Sequence, residues 1–143
     1  LPYRAALEGE YRYFTDTWDI DAHTASLTYV QPWKNWTFTA KFRYHDQTGA
    51  HFYSDLFPRA QATNFRGRDK ELSDLTSMTL HLEFLNESRG WGFLKKGSIT
   101  GSIDMLGVDY HEFSDLTAGA PVGEEPLYEL EANIFQIFIS FWY

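Results

Sequence analysis

The chain has 143 residues, no cysteine, a formal net charge of −8 and a heavy load of aromatics: 12 Phe, 9 Tyr and 5 Trp. Without cysteine there are no disulfide staples or thiolate metal sites, and the acidic balance argues against a nucleic-acid partner, since no basic excess is available to displace phosphate counterions. No stretch approaches the roughly 18 consecutive apolar residues of a membrane-spanning helix; membrane strands stay open, because a strand turns only alternate residues toward lipid.

The organising signal is period two, and it recurs along the chain. In 3–14, Tyr3, Ala5, Leu7, Gly9, Tyr11 and Tyr13 share one side, and Arg4, Glu8, Glu10 and Arg12 the other. In 22–30, His23, Ala25, Leu27 and Tyr29 alternate with Thr24, Ser26 and Thr28. Gln31 to Asn35 reads as a short turn, with Pro32 where no ladder donor is needed. Residues 36–45 are the cleanest case: Trp36, Phe38, Ala40, Phe42 and Tyr44 against Thr37, Thr39, Lys41, Arg43 and His45.

A long polar loop rich in Arg and Asp, 46–74, follows, with room for a short helix. Met78, Leu80, Leu82 and Phe84 then oppose Ser77, Thr79, His81 and Glu83; 86–96 is a connection of medium length. Ile99, Ile103 and Met105, with Gly97, Gly101 and Gly107, oppose Ser98, Thr100, Ser102 and Asp104. After a Gly/Pro loop at 114–126, the closing segment sets Phe135, Ile137, Ile139, Phe141 and Tyr143 against Gln136 and Ser140, with Ile134, Phe138 and Trp142 adding bulk to the polar side. No repeat or linker divides the chain, so 1–143 reads as one all-β domain of about six antiparallel strands.

Alternation alone fits a soluble sandwich as well as a membrane barrel; three features favour an antiparallel transmembrane β-barrel. Aromatic rings gather at strand ends: Trp33, Trp36, Trp91, Phe93, Trp142 and Tyr143 at one level, Tyr11, Tyr13 and Tyr44 at the other, as in the two girdles of a membrane barrel. The polar side carries short hydroxyls, histidine and charges of both signs at Arg4, Glu8, Glu10, Arg12, Lys41, Arg43, His81, Glu83 and Asp104, the makeup of a confined lumen. The alternating Ile137, Ile139, Phe141 and Tyr143 resemble the terminal signal read by the bacterial barrel-assembly machinery.

That last resemblance implies a home in outer-membrane lipid, the assembly machinery as a partner during biogenesis, and a periplasmic C-terminus. The turns at 31–35 and 86–96 would then be periplasmic and the loops at 46–74 and 114–126 extracellular, with long loops outside as this class expects. Single-chain barrels begin at about eight strands, so these residues are expected to be a portion of a larger barrel or to pool strands in an oligomer.

The stretches 51–57 (HFYSDLF), 68–73 (RDKELS), 124–128 (EEPLY) and 140–143 (SFWY) resemble the C-terminal part of a bacterial family known only as a domain of unknown function, for which an outer-membrane barrel is expected. The resemblance implies a Gram-negative envelope and brings no catalytic residues with it.

Chemistry is sparsely signalled. His45 and His51 flank the start of the long loop near Asp46 and Asp55, and His111 adjoins Asp109 and Glu112, but without the tight spacing of a zinc site; acidic loop residues read as solvated. With no Gly-x-Ser-x-Gly elbow either, no catalytic residue, metal or cofactor is expected. The lumen charges would either line a channel or lock together. Bulk at Phe138 and Trp142 favours a filled interior, hence a structural or partner-binding barrel holding another envelope protein in the lumen or at loop 46–74. The alternatives are a pore for small solutes and an outer-membrane enzyme.

Overall fold

The computed structural model describes residues 4–55, 67–89, 95–121 and 123–143. Alternation becomes six strands: β1 (Ala6–Thr15), β2 (Asp21–Trp33), β3 (Trp36–Gln47), β4 (Leu75–Arg89), β5 (Lys96–Ser114) and β6 (Leu127–Trp142). Each pairs antiparallel with the next in one sheet of order β1-β2-β3-β4-β5-β6, which is not closed, so β1 and β6 are its edges. No helix among the described residues is long and apolar enough to cross a membrane.

The register carries the sequence pattern across the whole sheet. Leu7, Tyr29, Ala40, Leu82, Ile103 and Phe135 lie side by side in successive strands, and the next row is Gly9, Leu27, Phe42, Leu80, Met105 and Asn133. Because side chains alternate across a strand, these rows form one apolar face. The opposite face holds the row Glu8, Thr28, Lys41, His81, Asp104 and Ile134.

Along β2, β3 and β4 exposure is inverted relative to a soluble sheet. Leu27, Phe38, Phe42, Met78, Leu82 and Phe84 on the apolar face are exposed, and Phe135 and Ile137 reach 73%. Their polar-face neighbours Thr24, Ser26, Thr28, Lys41, Arg43, Thr79, His81 and Glu83 are half-buried. The few buried residues, among them Ile20, Ala22, Ala50, Ser73, Leu75, Ser77 and Tyr110, gather at one end of the sheet instead of between two layers.

Several boundaries differ from those expected. The turn at 31–35 shrinks to Lys34 and Asn35, with Trp33 opposite Trp36 and Pro32 inside β2 opposite Thr37. In a two-residue hairpin the flanking pair exchanges ladder bonds and the next pair turns its backbone groups outward. Pro32 therefore points its missing donor toward β1, which begins only at Ala6, and no hydrogen bond is lost. Lys34 takes a φ of 55°, the positive value that suits tight turns to strand twist.

The 86–96 connection also contracts, because β4 and β5 continue pairing to Arg89 and Lys96, and β6 begins at Leu127. Polar residues extend these strands past the apolar band, where periodicity cannot reveal them. Arg4 lies before β1 with a φ of 62° and is not part of the strand's polar side. Among the described residues of the 46–74 loop, where a short helix had room, there is a 3₁₀ turn at Lys70–Leu72, capped by Asp69. Trp91 and Phe93 lie outside the described residues.

Gly101 is buried on the apolar face because the Phe84 ring of the adjacent strand lies over it, where any Cβ would collide. Gly107, on the same face, has open space above it. Gly101→Val is therefore expected to displace Phe84 and cost about 1–3 kcal/mol, whereas Gly107→Val leaves stability unchanged within about 0.5 kcal/mol. Urea unfolding of the two variants in the same detergent or lipid checks the contrast.

Candidate functional site

Two groups of polar residues are built by this sheet. The first is the middle of the polar face. Glu8, Glu10, Arg12, Lys41, Arg43, His81, Glu83 and Asp104 all fall on it by register, whereas Arg4 lies beside Gln31, Pro32, Trp33 and Lys34 at the hairpin end. His81 and Asp104 are direct cross-strand partners, and His81 Nδ1 lies 2.6 Å from Asp104 Oδ1. Nearer the loop end of the same face His45 Nδ1 meets Thr24 Oγ1 at 2.8 Å and its Nε2 meets Gln47 at 3.3 Å.

Of the two arrangements open to these charges, lining a channel or locking together, this sheet shows no cross-strand locking. Among the described residues no ion pair joins Arg12, Lys41 or Arg43 to Glu8, Glu10 or Glu83. Glu8 and Glu10 sit two strands from Lys41 and Arg43, across Thr28 and Ser26, a separation of about 10 Å. His81 and Asp104 resemble two thirds of a hydrolytic triad, but among the described residues no hydroxyl lies within hydrogen-bond distance of His81.

The second group is a cap that folds over the polar face where the long loops emerge. Gln47 Nε2 donates to the carbonyls of Glu71 (2.9 Å) and Ser73 (3.1 Å), and Ala50 N donates to Leu72 O (2.8 Å). The Lys70 ammonium lies over Tyr128 (5.1 Å) and Tyr110 (5.9 Å), two rings packed with Phe113. Such cation–aromatic contacts contribute roughly 0.5–1 kcal/mol each at exposed sites. As a result Tyr110 is 6% exposed and Ser77, one row below, 9%.

Arg68 ties the cap to the end of β5. Its guanidinium lies 4.4 Å from the Phe113 ring, Nε donates to Asp55 O at 2.7 Å and Nη2 to Ser114 O at 3.0 Å. Nη2 also lies 3.1 Å from Asp55 Oδ1, an ion pair whose carboxylate oxygen is buried and off the hydrogen-bonding direction. Tyr53 donates to Glu112 O at 3.1 Å and bridges to Gly67. Sequence reasoning missed these residues. The available signal was that Tyr110 and Tyr128 interrupt the polar side with large rings at the mouth of both long loops.

The histidines serve local bonds. His111 Nδ1 pairs with Asp74 (2.8 Å), His51 Nδ1 with Trp18 O (3.0 Å), and His23 Nδ1 with the Tyr11 hydroxyl (2.7 Å). Among the described residues no three His, Asp or Glu side chains converge as a metal site would require.

Fold and site together define an all-β protein: an open antiparallel meander with an exposed apolar face, a half-covered polar face and a loop cap at one end. Residues 1–94 match the family described as "Protein of unknown function (DUF3570)", and the chain belongs to it. The match takes in the stretches at 51–57 and 68–73 and ends before those at 124–128 and 140–143. No curated protein and no solved structure matches the chain.

Burial, and secondarily the nearby Asp55 charge, push the Tyr53 phenol from the ordinary 10 up to about 12. A raised phenol pKa means that the neutral form is favoured in the fold. Its contribution is fully present below the unfolded value and is lost as pH rises from about 10 to about 12. Ultraviolet titration is expected to show a late-ionising phenol that disappears in Tyr53→Phe; ionisation of every tyrosine together near the ordinary value would contradict the half-buried placement.

Proposed function

We propose that this chain forms part of the wall of an antiparallel transmembrane β-barrel in the outer membrane of a Gram-negative envelope, and that the barrel serves as a structural or partner-holding element. The observation that carries the reading is the inverted exposure: large apolar side chains of all six strands share one face, and along β2, β3 and β4 that face is the exposed one while hydroxyls and charges occupy the more covered side. In water such a face would be an aggregation surface far beyond the few hundred Å² that monomers expose; in lipid it is the favoured one.

The outline of the apolar band supports the same reading. Tyr13 on β1 lies level in register with Glu129 on β6, through His23, Asp46, Thr76 and Asp109. The upper edge of the band is Tyr13 on β1, Tyr44 on β3, Met78 on β4 and Phe135 on β6. Over five strand spacings (about 24 Å) it has slid six residues (about 20 Å). A band that is level in a membrane cuts register lines in this way when strands tilt by about 40°, within the 35–45° of membrane barrels. The band on β3 from Trp36 to Tyr44 is about 27 Å along the strand, close to 20 Å high at that tilt, against a typical band of about 25 Å.

The long segments 48–74 and 115–126 leave one end of the sheet, and the Lys34-Asn35 turn and residues 90–95 leave the other. The usual asymmetry of outer-membrane barrels makes the first end extracellular and the second periplasmic. In lipid the free ladders of β1 and β6 need partner strands, because unsatisfied backbone groups there cost several kcal/mol each; the reading therefore requires further strands, from the same polypeptide or from other copies. The cap over the polar face favours a closed or occupied interior. A pore for small solutes is the second reading, favoured by Lys41 and Arg43, which stand without a carboxylate partner among the described residues.

Phe42→Arg, at the centre of the band, is expected to cost about 2–4 kcal/mol and to block assembly into liposomes, while Ser102→Arg, on the polar face beside Glu83, assembles normally. Heat-modifiable gel migration reports the assembled fraction. Equal assembly of both variants would overturn the membrane placement.

A further inference from the structure

We infer that Lys41 and Arg43 form a binding site for a small oxyanion, a phosphate or carboxylate group, at the middle of the polar face; only the inward position of the site rests on the barrel reading. The two cations are two residues apart on one side of β3, so their Cβ atoms stand about 7 Å apart and their long side chains can converge on one anion. Both are half-buried.

Directly across from Arg43 stand Ser26 on β2 and Thr79 on β4, and directly across from Lys41 stand Thr28 and His81. Hydroxyls are neutral donors that can bond an anion without repelling it. The nearest strand carboxylates are otherwise engaged or offset: Asp104 is held by His81 at 2.6 Å, and Glu83 is a diagonal neighbour of Lys41 that makes no ion pair with it. A partly covered cation without a counter-charge is costly, and an oxyanion from solution or on a partner molecule removes that cost. Arg43 supplies a planar fork for two oxygens, and Lys41 supplies a point charge for a third.

The same geometry assigns Glu83 a part. As the one acidic neighbour it competes with the ligand for the Lys41 ammonium, so its neutralisation is expected to tighten anion binding.

The test is calorimetric titration of the native protein, purified in detergent and shown to be heat-modifiable, with inorganic phosphate and separately with acetate at constant ionic strength. Saturable binding of either anion is expected, and the anion that binds identifies the group. The double variant Lys41→Gln/Arg43→Gln is expected to lose about tenfold or more, the loss of at least one charge-assisted hydrogen bond. Glu83→Gln should bind more tightly, and Lys96→Gln, a cation at the far end of β5, should be unchanged. No saturable binding by an intact barrel, or binding that survives the double variant, overturns the inference. Absence of heat-modifiable migration would instead count against the barrel reading, and phosphate binding would still be read on its own.

Discussion

Everything in this structure depends on one uninterrupted register. A slip of a single residue between any two strands would move every side chain of one of them to the opposite face; Phe42 would join the charged row and Lys41 the apolar band. The five ladders hold their register from one edge of the sheet to the other, and the one irregularity, between Asp109 and Ser114 on β5, falls beyond the apolar band. That continuity makes one apolar surface out of six short patterns, and it places Lys41, His81 and Asp104 side by side.

The two faces solve different problems. On the apolar side the energetics are those of area: rows of Leu, Phe and Ile favour an apolar medium by about 25 cal/mol per Å² removed from water. Tyrosines and tryptophans mark where that medium would end, with Tyr13 bonded to Asp21 at 2.7 Å and Lys34 and Lys96 over Trp33 and Trp142. On the polar side the problem is satisfying donors and acceptors. Hydroxyl–imidazole and imidazole–carboxylate pairs do so at the middle, and the cap does so at one end by laying the backbone carbonyls of 71 and 73 on Gln47.

The strands were legible in the sequence wherever both faces declared themselves, as in 36–45. They were illegible where both sides turn polar, from Asn86 to Arg89, or where proline suggested a turn inside a strand. Pro32 is tolerated because of where β1 starts, a fact of tertiary structure. The polar residues could be assigned to one face but not paired, since pairing depends on which strands adjoin and on side-chain reach. His81 with Asp104 is a consequence of β4–β5 register, and the cap arises from contacts such as Lys70 with Tyr128, far apart in the chain. Ile134, Phe138 and Trp142 do lie on the polar side, on the edge strand β6, and are exposed.

The account stands or falls on which face meets lipid. Because the chain has no cysteine, single cysteines placed in turn at 37–44 in the native protein can each carry a fluorophore in vesicles containing lipid-attached quenchers. The account predicts strong quenching at 38, 40 and 42 and weak quenching at 39, 41 and 43. Uniform weak quenching, or alternation in the opposite phase, would contradict it.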